Sequence, residues 1–451
     1  MRTKIRLRGL VALVLALALV AAACGDDDDA ATTTTAATTT TQATTTTTEA
    51  PTTTTTAATT TTTQAETTTT EAAFETTDLT LGYVMPQTGG LAVIVDALVQ
   101  PIDMAAQEIN DAGVSLGIVP GDSGTDPAVA TVTVDRLLND GVNGIVGPAA
   151  TGVTLSVIDR ITGSETVMCS PSNTGAALSV YPDDGYYFRT APSDVLQGPA
   201  LADLMTQDGV TSAAVIYRND EYGAGFNEVL VEALEANGVG VQAEIAYDPN
   251  QTSFDAEAAD LAAANVDAVV LVTFAEGAQL VQALIEAGVG PADLATYGTD
   301  GFKDSVTPDA VDPDDVSVLE GIRGTAPSAA PPNGEPTFPD RFAEFAPEVP
   351  TIFSAQTYDC VMIITLAAQI AGSADPVDYV GEMNGVTRDG TKCDRFDTCL
   401  ELVAAGENID YDGASGPLDF TDVGEPGIGT YDIWEWDAEG NVNTLDQIVA
   451  G

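Results

Sequence analysis

From Thr77 onward, short apolar runs alternate with stretches of helical spacing, and this alternation constrains the fold more than any other feature of the chain. Leu79–Val84, Gly144–Val146 and Thr166–Cys169 read as buried strands, as do Ala213–Tyr217, Val241–Ala246, Ala268–Phe274 and Ala295–Tyr297. Helices lie between them. Ile102–Ile109 has Pro101 in its first turn, and Asp126-Pro127 opens a helix running to Leu138. Gly225–Ala236, with Gly238 as its stop, Phe254–Ala264, and Gly277–Ala287, with Gly288 at its end, follow. Strands separated by helices of roughly 10–15 residues are βαβ units, which build parallel sheets covered on both faces. The pattern comes in two blocks, followed by a long helix at Ser354–Ile370 and an aromatic strand at Tyr431–Trp436.

Composition removes several function classes. The 451 residues carry 14 Lys+Arg against 68 Asp+Glu, a formal charge of −54, so the surface repels nucleic acid and anionic lipid. There is no histidine, which excludes Ser-His-Asp and Cys-His catalysis and His-ligated metal. Five cysteines are too few and too scattered for a zinc or iron–sulfur site. The acidic stretch Asp312–Asp315 reads as a solvated turn, and Asp410–Gly413 lacks the spacing of a calcium loop. No nucleophile–base pair can be named, so an enzyme is not expected, and neither is a cofactor or a metal.

The N-terminus reads as an address. Arg2, Lys4, Arg6 and Arg8 precede 15 small or apolar residues, Gly9–Ala23, a run short for a membrane span and right for a signal peptide. It ends in Ala21-Ala22-Ala23-Cys24, similar to a bacterial lipobox, with Ala21 where leucine is usual. Cys24 is therefore expected to carry lipid and to anchor the chain to the outer face of the cell membrane. From Ala31 to Ala73, 27 of 43 residues are Thr. Such a tract has nothing to bury and is expected to be a disordered tether with an end-to-end distance of about 35–40 Å.

Taken together, several segments resemble the solute-binding proteins of branched-chain amino acid transporters. Leu81–Gly90 is similar to their opening strand and loop, and Ala105–Asn110 to their first helix. Gly147–Gly152 and Ser170–Thr174 are similar to their two ligand loops, and Phe188-Arg189-Thr190 with Asp194 and Gln197-Gly198 to the first inter-lobe crossing. Glu221–Gly225, Gly298–Gly301 and Tyr358-Asp359 complete the series in order. The resemblance implies an α/β fold of two Rossmann-like lobes with parallel sheets, joined by three hinge crossings: a type I periplasmic binding protein. It divides the chain into a signal peptide (1–23), a lipidated Cys and tether (24–76), lobe one (77–190 and 326–412) and lobe two (191–325 and 413–451).

The resemblance also implies a ligand cleft. Ala150 and Thr151 on the first loop, with Ser172, Asn173 and Thr174 on the second, would hold a ligand carboxylate through backbone N–H and hydroxyl groups. The bland alternative is that these hydroxyls are helix caps. Asp300 would pair with a ligand ammonium. Tyr222, on the Glu-Tyr-Gly loop, and Phe274 would wall the cleft from lobe two, and Ile94, with Leu91, would touch the ligand side chain. Cys393 and Cys399 are expected to form a small disulfide loop, while Cys169 and Cys360 either pair or stay as two buried thiols. The reading is a monomeric, lipid-anchored binding protein that captures an amino acid or related solute and delivers it to an ABC importer permease. The other reading is a sensor that uses the same cleft to signal.

Overall fold

The computed structural model describes residues 74–451. The signal peptide, Cys24 and the Thr tract to residue 73 lie outside the described residues.

Strand β1 (Leu79–Tyr83) leads to α1 (Val95–Asp111), β2 (Leu116–Val119), α2 (Pro127–Asp140), β3 (Gly144–Val146), α3 (Thr151–Thr162), β4 (Met168–Ser170) and β5 (Tyr187–Arg189). These strands make a five-stranded sheet, β2-β1-β3-β4-β5, in which every pair is parallel. Next come α4 (Asp194–Gln207), β6 (Ser212–Arg218), α5 (Glu221–Ala236), β7 (Gly240–Tyr247), α6 (Asp255–Ala264), β8 (Ala268–Val272) and α7 (Gly277–Ala287). After them run β9 (Ala295–Gly298), α8 (Pro308–Val311) and β10 (Arg323–Pro327). The chain continues through α9 (Phe338–Phe345), α10 (Ser354–Ala371), α11 (Pro376–Tyr379), β11 (Thr391–Cys393), α12 (Phe396–Ala404), β12 (Ile409–Gly413) and β13 (Gly416–Pro417). It ends in the hairpin β14 (Gly429–Trp436) and β15 (Val442–Ala450).

The second sheet has seven strands in the order β15-β14-β10-β9-β8-β6-β7, so the C-terminal hairpin joins a sheet begun more than 200 residues earlier. Its β6–β10 pairs are parallel, and β14 and β15 are added antiparallel. All residues of β3, β4 and β8 are buried, as expected of strands covered on both faces. Helix α10 is buried from Ser354 to Gln369 and packs on α1, β3 and β4. No single helix among the described residues is long and apolar enough to cross a membrane.

Two helix starts lie four or more residues before the sequence reading. Helix α1 begins at Val95, not Ile102, and holds Pro101 in its interior. The buried positions Ala97, Leu98, Pro101, Ile102, Ala105 and Ile109 form one continuous helical face. Packing of that face outweighs the hydrogen bond that a proline cannot donate. Helix α5 begins at Glu221, not Gly225, because the Asp220 side chain caps it, accepting from Gly223 N at 2.9 Å. Tyr222 therefore sits in a first helical turn and not on a loop. Strand β15, which was not foreseen, is largely exposed and has no buried alternating face to betray it.

Both cysteine pairs are bonded. Cys393–Cys399 closes the small loop, and Cys169–Cys360 ties the end of β4 to α10, so of the two alternatives for that pair the bonded one is found.

Candidate ligand-binding site

The C-terminal ends of β3, β4, β8 and β9 converge on one small cavity. Strand ends of this kind are where open α/β sheets bind ligands.

The first wall follows β3 and β4. Gly147, at φ 97°, turns the chain after β3, and α3 then starts at Thr151 with Ala150 as its N-cap. Alanine offers no side-chain acceptor, so no side chain caps the first amides of α3. Helices α2, α4 and α5 are capped by Asp126, Ser193 and Asp220, whereas α1, α6, α7 and α10, like α3, have no side-chain cap. The Thr151 hydroxyl is not a cap: it accepts from Gly175 N at 3.3 Å and so links the two loops. Ser172 Oγ donates to Ala149 O at 3.0 Å, and Ser170 Oγ to Pro148 O at 2.7 Å, which knits the second loop onto the first. Ala150, Thr151, Ser172 and Thr174 line the cavity, as does Ile94 at the start of α1.

Asn173 does not line it. Its side chain is wholly buried, donating to Ala149 O at 2.8 Å and accepting from Tyr187 Oη at 3.2 Å. Both polar atoms are thus committed to holding the loop, and Asn173 supports the site without facing it. Arg189 supports it too. It donates to the carbonyls of Asn173 and Gly175, each at 3.0 Å, to Ser179 Oγ, and to Glu425 through Nε at 2.8 Å.

The second wall follows β8 and β9. The Tyr222 ring stacks on Phe274 with centroids 5.4 Å apart, and the Arg218 guanidinium covers Phe274 at 3.7 Å from its centre. The Tyr222 hydroxyl meets Thr299 Oγ1 at 2.8 Å and donates to Asp300 Oδ1 at 3.1 Å. Gln197 Nε2 donates to the same oxygen at 3.0 Å. Burial pushes the Asp300 carboxyl up to about 6 despite these donors. Burial, and then the Asp300 and Asp194 charges, hold the Tyr222 phenol well above its ordinary range. Glu221, beside Tyr222, reaches back to the first wall, its carboxylate oxygen 2.6 Å from where a Cβ on Gly152 of α3 would sit.

Residues 78–441 match the profile of the periplasmic binding protein family. The chain belongs to that family. Two binding proteins to which it is similar show how far the likeness extends. It is 26% identical to the chemotactic signal transduction system substrate-binding protein BasB of Halobacterium salinarum, over 78% of this chain and 85% of that one. It is 24% identical to Leu/Ile/Val-binding protein homolog 3 of Brucella melitensis, over 80% of this chain and 92% of that one. The crystal structure of LivJ, the branched-chain amino acid transporter substrate-binding protein of Streptococcus pneumoniae in complex with isoleucine, shares the fold. Its TM-score is 0.68 at 19% identity, covering 83% of this chain and all of LivJ. These relatives are binding proteins, not enzymes.

Phe353 and Ser305 of this periplasmic binding protein's cavity escaped the sequence reading, and Asp194 was read only as part of the first crossing. Phe353 lines the cavity from the residue before α10, with its backbone at φ 58°. An aromatic in the left-handed region is uncommon, and no local turn signal announces it. Asp194 lies directly beneath the site and is fully buried, with neither carboxylate oxygen hydrogen-bonded. As the first residue of α4 it looks like an ordinary helix-start acid.

Proposed function

We propose that this protein captures a small solute bearing a carboxylate and an ammonium, an amino acid with an apolar side chain, and delivers it to an ABC importer permease. One observation carries the reading: the uncapped amides of α3 and the buried Asp300 carboxylate face the same small cavity from opposite walls. An amino acid presents complementary ends to both. Its carboxylate supplies the cap that Ala150 lacks. Its ammonium supplies the partner a desolvated Asp300 needs. Leu91, Ile94, Phe274 and Phe353 surround the rest with apolar surface.

On this reading lobe one comprises 77–190 and 326–412, and lobe two comprises 191–325 and 413–451. They are joined near Thr190–Asp194, Gly324–Pro327 and Gly413–Asp422. Ligand stabilises the closed form because it touches both walls there and only one when the lobes part. The permease would read closure. Lipid on Cys24 and the Thr tether would keep the monomeric body outside the cytoplasm, close to the membrane.

The test is a thermal-shift and calorimetric screen of the purified mature protein, refolded from denaturant to strip carried-over ligand, against the L-amino acids, small amides and aromatic carboxylates. An amino-acid hit is expected, raising stability by about 2.7 kcal/mol at 100 times Kd. Binding of ligands that lack an amine, with no amino acid bound, would overturn the role of Asp300. The similarity to BasB favours one second reading, in which the loaded protein engages a signalling receptor. Loss of ligand uptake when the gene is deleted supports transport; intact uptake with lost chemotaxis supports signalling.

A further inference from the structure

Beneath the second wall, several buried polar side-chain atoms lack a hydrogen-bond partner. Asp194 Oδ1 and Oδ2, Gln197 Oε1 and Thr325 Oγ1 are all buried without a hydrogen-bond partner. Asp194 and Gln197 are one turn apart on α4, and Gln197 Nε2 is spent on Asp300 Oδ1 and Thr325 O, each at 3.0 Å. Asp194 N donates to the carbonyl of the cavity residue Thr174 at 2.7 Å, which sets Asp194 under the floor of the site.

Among the described residues, the cations near the two acids are committed elsewhere. Arg189 is committed to Glu425, Ser179 and two loop carbonyls. Lys303, three residues beyond Asp300, points to Asp432 at 3.7 Å. Tyr222 from α5 gives its proton to Asp300, and Tyr431 from β14 gives its own to Ser193 O at 3.3 Å. Two buried carboxylates whose charges act on one another, with Gln197 of the Asp194 turn bonded to Asp300 and no cation paired to either, do not both stay ionised. Burial, then the Asp300 charge, drives Asp194 well above the carboxylate range; Thr174 and Arg189 pull it back less, and neither meets hydrogen-bond geometry with its carboxylate.

We propose that Asp194 is a second carboxylate of the ammonium site, and that Asp194 and Asp300 share one proton in the empty protein and release it when a ligand ammonium enters. The empty pair carries one proton and a charge of −1. The loaded site carries two carboxylates and one ammonium, again −1, and the displaced proton leaves to solvent. Charge in the buried cluster is conserved, so the site need never desolvate two bare anions. Only a cationic ligand drives the exchange; a neutral amide or hydroxy acid leaves the proton in place. This rests on the amino-acid reading above.

Two measurements on the mature protein test it separately from that reading. Infrared difference spectra of ligand-free wild type minus Asp194→Asn, at about pH 7, should contain a protonated carboxylic acid band. Asp300→Asn should lose the same band. A spectrum without it overturns the proposal whatever the protein binds. Calorimetry with L-isoleucine as probe, in buffers of different ionisation heat, should give about one proton released per ligand at about pH 7 and progressively fewer at higher pH. Affinity should fall about tenfold per pH unit on acidification from there. Asp194→Asn should abolish the release and flatten the profile. Binding without proton release overturns the proposal. If L-isoleucine does not bind, the amino-acid reading loses support while the infrared result still decides the shared proton.

Discussion

The two walls of the cavity solve the same problem by different means. The wall after β3 and β4 contributes no ionised side chain to the cavity: it offers helix amides, hydroxyls and apolar contacts, held in place by carbonyl bonds and by Arg189 behind the loop. The wall after β8 and β9 contributes Asp300, with Asp194 below it, both buried. Fixed dipoles suit a ligand anion at any ordinary pH and cost little when the site is empty. Buried carboxylates bind a cation more strongly but titrate, and they strain the empty protein. The first wall should therefore set geometry, and the second should set affinity and its dependence on pH.

Asp300→Ala should separate the walls most sharply. Deleting one member of a desolvated charge pair costs on the order of 3 kcal/mol, so an amino-acid ligand should lose roughly 100-fold in affinity or more by calorimetry. The isosteric Asp300→Asn reports on the empty protein. Because burial raises this carboxyl to about 6, its ionised form opposes folding, and that penalty is relieved as pH falls through about 6. Wild type without ligand should gain stability over that window, and Asp300→Asn should gain less. Equal gains in both proteins would mean that the general acidity of the surface, not this site, controls the response.

Gly175→Ala attacks the other wall. A Cβ there would lie 2.4 Å from Thr151 Cγ2 and 2.9 Å from its Oγ1, and a short branched side chain has little freedom to yield. Displacing Thr151 should weaken binding about tenfold, in keeping with about 1–2 kcal/mol for overpacking. The pH profile should keep its shape. A changed shape would break the division into one fixed and one titrating wall.

How much of this was legible in the sequence depended on whether a residue's task is local. Helix α2 announces itself through Asp126-Pro127, and β8 through five apolar residues, because caps and burial act within a few positions. Ala150 and Thr151 could be placed at a strand end by the same logic. Asn173 looked identical in kind to its neighbours Ser172 and Thr174, yet Tyr187 and Ala149, distant in sequence, claim its polar atoms. Asp194 was hidden for the converse reason. Its importance lies in the partners it lacks, and those depend on Gln197, Asp300 and Arg189 meeting from three elements. Pro101 misled because a proline marks a helix start only when tertiary packing does not override it.

Tyr222→Phe makes the finest cut, because it leaves both walls standing and alters only the coupling of a ligand to a proton. The ring, and hence its 5.4 Å stack on Phe274, should survive. What goes is the hydroxyl bonded to Thr299 and Asp300, worth about 1 kcal/mol or roughly a fivefold loss of affinity. That hydrogen bond favours ionised Asp300, so its removal should raise the carboxyl further and strengthen the proton as a competitor. The deficit relative to wild type should then be smallest in alkaline solution, where both proteins are deprotonated, and should widen as pH falls toward about 6. Dissociation constants measured across that range by calorimetry would show it directly. Parallel profiles for the two proteins would mean that Tyr222 acts on the ligand alone and that the second wall does not titrate through Asp300.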